Sequence, residues 1–247
     1  MTNDNFLDKA LDRDEETIRT MFSQSADKYD FLNHLLSLNL DRGWRRTLAN
    51  KSGYQNYGKN VRLLDLCTGT GDVAFEFLKR DDFSGTAVGI DFSSRMLQIA
   101  EKKAAEFSVA DKVEFSEGNA LDLKFDNESF DLVTIAFGLR NLSNLAIGLN
   151  EMYRVLNPGG KFLSLEFFKP DSSYSRLISN FYLRCIIPIT GRIVTGQRGA
   201  YDYLPVSRDK FISASEFDVK LKDVGFKNIN HGFFLFRIAA LHIAEKL

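Results

Sequence analysis

Along this chain, short continuous apolar runs alternate with stripes of apolar residues at helical spacing. Val61, Leu63, Leu64 and Leu66 form the clearest run, which reads as a parallel strand covered on both faces. It stops at Cys67, turns through Thr68-Gly69-Thr70-Gly71, and enters a helix bearing Val73, Ala74, Phe77 and Leu78, with Asp72 at the N-cap. Residues 88–91 give a second strand, and Ser93 caps a helix carrying Met96, Leu97, Ile99 and Ala100. Residues 112–116, 130–137 and 161–168 read as the third, fourth and fifth strands. Between the last two, Asn144 caps a helix with Leu145, Leu149, Met152 and Leu156 on one face, ended by Pro158-Gly159-Gly160. A helix over 215–224 stops at Gly225, and strands near 226–230 and 234–244 finish the pattern. Ahead of the repeat, a helix from about Asp14 carries Ile18, Met21 and Phe22. The alternation predicts an α/β fold with a doubly wound sheet.

The first strand-to-helix turn carries the chemistry. Gly69 and Gly71 let the backbone pass close under a ligand, and the free N–H groups of the helix start face the same crevice. Asp91 ends the second strand about twenty residues later, the spacing at which a βαβ nucleotide site holds ribose hydroxyls. Gly69-x-Gly71-x-x-Ala74 also fits a dinucleotide fingerprint, so an oxidoreductase using a nicotinamide cofactor is one reading. Asp65 inside the strand and the long segment from Phe130 to Gly160 have no counterpart in that fingerprint. At the carboxyl end of the third strand, the Asn119 amide and a neighbouring backbone N–H suit an adenine edge, while Met96 suits either an adenine face or helix packing. The fourth strand delivers Arg140 and Asn141 to the crevice, which core packing does not require.

Composition narrows the class. The 247 residues suit one domain with an insert, and 44% hydrophobic residues are ample for its core. A net charge of −1 gives no footprint for nucleic acid. Two cysteines, Cys67 and Cys185, suggest neither a disulfide framework nor a zinc site, and no metal-ligand cluster is apparent, so metal ligands are expected to be none. The polar start is no signal peptide, and no apolar run reaches the 18 or so residues of a membrane span. Twenty-two phenylalanines suit a core or an apolar ligand channel.

Asp65-x-x-x-Gly69-x-Gly71 resembles the first motif of class I S-adenosylmethionine methyltransferases, with Cys67 where that family often has Gly. Further motifs follow in order: Tyr29-Asp30-x-x-Asn33-x-x-x-Ser37, then Trp44-Arg45-Arg46, and later Phe137-Gly138-Leu139-Arg140-Asn141. After them come Arg154-Val-Leu-x-Pro158-Gly-Gly with Leu165-Glu166-Phe167, and Tyr201-x-Tyr203-Leu204-x-x-Ser207. Together, from about Phe22 to the C-terminus, they resemble the ubiquinone/menaquinone biosynthesis C-methyltransferase family. Leu32 stands for its usual Met, Asp41 for a frequent His, Ala136 for a common Ser, Asn157 for Lys and Phe168 for Ser.

The resemblance implies a class I methyltransferase fold, Rossmann-like, with a seven-stranded, mostly parallel sheet whose last strand runs antiparallel. It implies a single domain over 1–247, with a helical cap at 1–55 and a substrate-lid insert at 171–213. The cofactor implied is S-adenosyl-L-methionine, bound by Gly69, Thr70, Gly71, Asp91, Asn119 and Ala120. The substrate implied is a polyprenylated quinol methylated on carbon, with demethylmenaquinol first and the benzoquinol of the ubiquinone pathway as the alternative. Arg140 takes the anion-stabilising role, because a guanidinium stays protonated. Asn141 and Tyr29 orient the hydroxyl, and the base is water, Asp30 or His34. A non-catalytic module binding adenosylmethionine is a further reading, against which Arg140 and Tyr29 stand. The prenyl tail implies transient contact of a cytoplasmic protein with the inner face of the membrane. Residues 174–194, which interleave Leu177, Phe181 and Ile186 with Arg184, suit that contact. A homodimer is compatible with the resemblance, and nucleic acid is not an expected partner.

Overall fold

In the computed structural model, residues 8–37, 39–171, 176, 199–235 and 237–247 are described. β1 (Val61–Leu66) lies at the middle of a seven-stranded sheet of order β3-β2-β1-β4-β5-β7-β6. Its other strands are β2 (Gly85–Asp91), β3 (Val113–Glu117), β4 (Phe130–Ala136), β5 (Leu156–Phe167), β6 (Lys227–Phe234) and β7 (Ala239–Glu245). Strands β1 to β5 pair in parallel, whereas β7 runs antiparallel to both β5 and β6. The doubly wound, mostly parallel sheet agrees with the sequence reading.

The apolar runs are continuous because both faces of the sheet are covered. Successive strand residues point to opposite faces. Leu63, Leu132 and Leu163 therefore pack with Trp44 and Leu48 of α2 (Leu40–Ser52) and Phe77 of α3 (Asp72–Leu78). Their neighbours Leu64, Val133 and Phe162 pack with Met152 of α5 (Leu145–Val155) and Phe217 of α7 (Ala214–Val224). Each such side chain contributes about 1.5–3 kcal/mol by leaving water. Between these helices in the chain lie α4 (Ser94–Glu106) and α6 (Gly199–Lys210). The N-terminal helix α1 (Glu15–Leu36) starts after Asp14, whose Oδ2 accepts the Thr17 N–H at 2.9 Å. It reaches over the sheet, so that Ile18 clusters with Tyr203 of α6.

Several local readings change. Asp72 is the first residue of α3 rather than its cap; Gly71 holds that position, with φ 86°. A Cβ on Gly71 would also come within 2.7 Å of the Phe75 ring, so both conformation and space favour glycine here. The Asp72 carboxylate instead meets Arg45 at 2.8 Å and Lys103, charges contributed by α2 and α4. Pro158-Gly159-Gly160 does not separate a helix from a strand. Helix α5 ends at Val155 and β5 begins at once; residues 157–160 bulge out between the Phe130↔Leu156 and Leu132↔Lys161 pairings. The last two strands occupy later spans than the apolar pattern suggested, because the chain reverses near Leu235.

The segment 174–194, with the bilayer contact expected of it, lies outside the described residues apart from Arg176. Among the described residues, no helix is long and apolar enough to cross a membrane.

Candidate active site

A cavity of about 540 Å³ opens at the carboxyl ends of β1, β2, β3 and β4, under α1. Ligands of a doubly wound sheet bind at this end because the loops there diverge. Gly69, Asp91, Asn119 and Ala120, from three successive strand ends, all line it, and so do Tyr29 and Asn141. Met96 lines it as well while being 1% exposed, so it packs and faces the cavity at once.

Asp91 organises the glycine turn. Its Oδ2 accepts the Gly69 N–H at 2.8 Å and its Oδ1 accepts the Ser93 N–H at 2.9 Å. Burial pushes the carboxyl pKa up, against the downward pull of those N–H groups. Each carboxylate oxygen has a second lone pair, which leaves acceptor capacity for vicinal hydroxyls. One turn deeper, Asp65 is almost wholly buried and accepts hydroxyl protons from Thr68 at 2.6 Å and Thr134 at 2.7 Å. Burial raises its pKa to about 6. Cys67 follows with φ 50°, the left-handed conformation that favours glycine, which accounts for the glycine often found there in the family it resembles. Burial also pushes the Cys67 thiol up, so it stays protonated at neutral pH.

Thr70, Gly71 and Arg140 are not on the cavity wall formed by the described residues. Thr70 donates its hydroxyl to Asp30. Asp30 also meets Lys103 Nζ at 2.9 Å, and Lys103 reaches on to Asp72. Arg45 joins Asp72 to Asp41, which it meets at 2.6 Å. The result is a chain of alternating charges that fastens α1 and α2 to the glycine turn. Asp41 is 1% exposed and also lies 2.8 Å from His34 Nδ1. Asp30, His34 and Asp41 therefore serve this fastening, and none of them lines the cavity.

Arg140 sits in a short 3-10 turn, Leu139–Asn141, directly after β4. Its Nη1 donates to Glu166 Oε1 at 2.6 Å and to the Phe137 carbonyl at 2.8 Å, and the guanidinium carbon lies over the Phe167 ring, 5.7 Å from its centroid. Burial alone would lower its pKa; the Glu166 carboxylate overcomes that and raises it. Among the described residues, Arg140 Nε has no hydrogen-bond partner. Tyr203 donates its hydroxyl to Asn141 Oδ1 at 2.7 Å, which leaves the Asn141 Nδ2 hydrogens as the amide's donors.

Sequence reasoning gives Glu166 and Tyr203 no individual role, although both lie in quoted motifs. The signal for Glu166 was present: an acid closing a buried apolar strand, as Asp91 does. Tyr203 had no such signal, since its partner lies across the fold.

The sequence model of the ubiE/COQ5 methyltransferase family matches residues 10–246. A Geotalea daltonii protein named ubiquinone/menaquinone biosynthesis C-methyltransferase UbiE is 40% identical over 94% of this chain and 97% of its own. The demethylmenaquinone methyltransferase of Lactiplantibacillus plantarum is 36% identical over 93% and 95%. Among solved structures, an SAM-dependent methyltransferase from Aquifex aeolicus superposes with a TM-score of 0.58 over 82% of this chain and 89% of its own, at 17% identity. That last likeness concerns the fold.

Proposed function

The chain belongs to the ubiE/COQ5 methyltransferase family, and from that premise we propose that it methylates a ring carbon of a polyprenylated quinol, using S-adenosylmethionine. The observation that carries the reading is convergence: Tyr29, Gly69, Asp91, Asn119, Ala120 and Asn141, from separate stretches, line one cavity. The donor set suits the cofactor. Asp91 has lone pairs left for ribose hydroxyls, Asn119 offers amide hydrogens to an adenine edge, and Met96 gives a polarizable face.

The cofactor, when bound, supplies an electrophilic methyl group on a sulfonium. The protein's tasks are then to align an electron-rich ring carbon and to stabilise the charge that grows on the neighbouring hydroxyl oxygen. Asn141 would donate to that oxygen from Nδ2, its orientation fixed by Tyr203. Tyr29 would hold the ring from the α1 side. Arg140, behind the cavity wall, would supply fixed positive charge beside the site, with Glu166 keeping the guanidinium in place. Asp30 is committed to an ion pair with Lys103 and His34 to a hydrogen bond with Asp41, both outside the cavity, which favours water as the base.

The head group proposed is the naphthoquinol of demethylmenaquinol. The prenyl tail resides in a bilayer, so we extend the proposal to transient membrane contact through residues 174–194, whose sequence mixes apolar side chains with arginines. Transfer of a labelled methyl group to reduced demethylmenaquinone tests the activity, with the corresponding benzoquinol as the competing acceptor. Calorimetry with S-adenosylhomocysteine and with NADH tests the cofactor. Binding of NADH without S-adenosylhomocysteine would replace this reading with an oxidoreductase.

A further inference from the structure

The chain has three histidines, and two of them meet at the edge of the sheet, on β6 and β7, with β5 between them and the strands of the cavity. His231 and His242 are directly opposed in the antiparallel β6–β7 register, so their side chains leave the same face. Their ring centroids are 4.9 Å apart. Helix α7 covers that face and brings Asp218 between them. Asp218 Oδ2 lies 2.9 Å from His231 Nδ1, and Oδ1 lies 3.5 Å from His242 Nε2. One ligand atom from each of the three lies within 4.8 Å of the other two. The sequence reading found no such cluster, because each residue stands alone in its own element.

Hydrogen bonding accounts for only part of this arrangement. The His231–Asp218 contact is an ordinary hydrogen bond. His242 Nε2 is 3.2 Å from the Ala214 carbonyl and gives its hydrogen there, so that hydrogen does not serve Asp218. Among the described residues, the buried Asp218 Oδ1 and His242 Nδ1 have no hydrogen-bond partner. A buried carboxylate oxygen with no donor is costly, and a cation held between it and the two imidazoles would satisfy it.

We propose that Asp218, His231 and His242 form a binding site for a divalent transition metal, with zinc as the ion that suits the donors. Two imidazoles and one carboxylate are a zinc donor set. Bonds of about 2.0–2.2 Å in a tetrahedron place ligand atoms about 3.3 Å apart, so a set in which one atom from each residue already lies within 4.8 Å of the others closes with a small side-chain shift. His231 and Asp218 side chains are 24% and 23% exposed, which opens the fourth position to a water molecule. Binding moves the His242 proton from Nε2 to Nδ1. Ala214 sits in the first turn of α7, so its carbonyl keeps its helical partner four residues on. The ion would tie α7 to the β6–β7 pair at three points, away from the methyl-transfer cavity.

The test is calorimetric titration of the untagged, chelator-treated full chain with Zn²⁺, with Co²⁺ as a spectroscopic probe. One equivalent should bind, with a tetrahedral cobalt spectrum, and thermal unfolding should rise by about 5–10 °C at a hundredfold excess over Kd. His231→Ala and Asp218→Asn should each weaken binding at least about tenfold, while His34→Ala binds like the parent. Both substitutions touch partly exposed side chains, and circular dichroism checks their folding. Absence of saturable binding in the parent chain would overturn the site, as would equal affinity in folded His231→Ala. Because the readout is metal binding, failure here leaves the methyltransferase reading standing.

Discussion

Arg140 and Glu166 face each other across the adjacent ends of β4 and β5, with Nη1 donating to Oε1 at 2.6 Å and side chains 7% and 0% exposed. Glu166 Oε2 also accepts the Arg140 backbone N–H at 3.2 Å, so the carboxylate grips both the side chain and the turn that carries it. A buried pair of this kind adds little net stability over an apolar pair, but losing one partner strands the other charge. Glu166→Ala should therefore cost about 3–5 kcal/mol in urea unfolding. Glu166→Gln keeps an acceptor for Nη1 and should cost less. If Glu166→Ala unfolds at the same urea concentration as the parent, the pair is not the clamp described here.

Asp91 makes a second prediction. Its carboxylate closes the glycine turn through Gly69 and Ser93, and under the proposed function it also accepts the ribose hydroxyls. Asp91→Ala should weaken S-adenosylhomocysteine by roughly 2–3 kcal/mol, the scale of lost charge-assisted hydrogen bonds. Asp91→Asn keeps one acceptor oxygen and should lose less. Calorimetry reads both, and an alanine variant that is folded and binds normally would remove Asp91 from the site.

What was legible in the sequence was local. The strands showed because both sheet faces are covered, and Gly69 and Asp91 showed because their spacing is a property of one βαβ unit. Contacts set by register were not legible. Arg140 meets Glu166 only because β4 and β5 pair in parallel with residues 157–160 bulged out, and no periodicity states that. Asp72 looked like a helix cap because its partners, Arg45 and Lys103, come from other helices. Cys67 looked like a departure from a glycine position, and its φ of 50° gives the reason glycine is common there.

A third prediction concerns pH. Asp65, buried beneath the turn, has its carboxyl pushed up to about 6, whereas the unfolded chain ionises near 4. The native state therefore holds the extra proton between about pH 4 and pH 6, and stability falls as pH rises through that window. Above about pH 6 both states are ionised, and the full penalty of about 3 kcal/mol is constant. Asp65→Asn removes this titration. Buried His242, with a pKa lowered to about 3, acts in the opposite sense, so the comparison must be variant against parent. The variant's melting temperature should gain on the parent's from pH 4 to pH 6 and then run parallel. A gap that is equal at pH 4 and pH 7 would mean Asp65 titrates normally.

The last prediction separates the two roles open to Arg140, structural clamp and charge at the reacting oxygen. Losing one preorganised donor to a developing oxyanion typically costs about 10²–10³ in rate. Arg140→Ala would also strand Glu166 in the interior, so a fall in activity could come from disrupted folding. Arg140→Lys is the sharper probe. It keeps a positive charge for Glu166 but loses the planar fork and the Nε hydrogen, which among the described residues has no partner. The lysine variant should unfold close to the parent, bind S-adenosylhomocysteine with nearly parental affinity, and turn over the reduced quinone at least about tenfold more slowly. Urea unfolding, calorimetry and the methyl-transfer assay on one preparation read the three quantities. Normal turnover in a stable Arg140→Lys protein would confine the residue to the clamp. Loss of cofactor affinity together with turnover would assign it to the nucleotide side of the cavity. Only a fall in turnover, with stability and cofactor affinity kept, places its charge at the quinol oxygen.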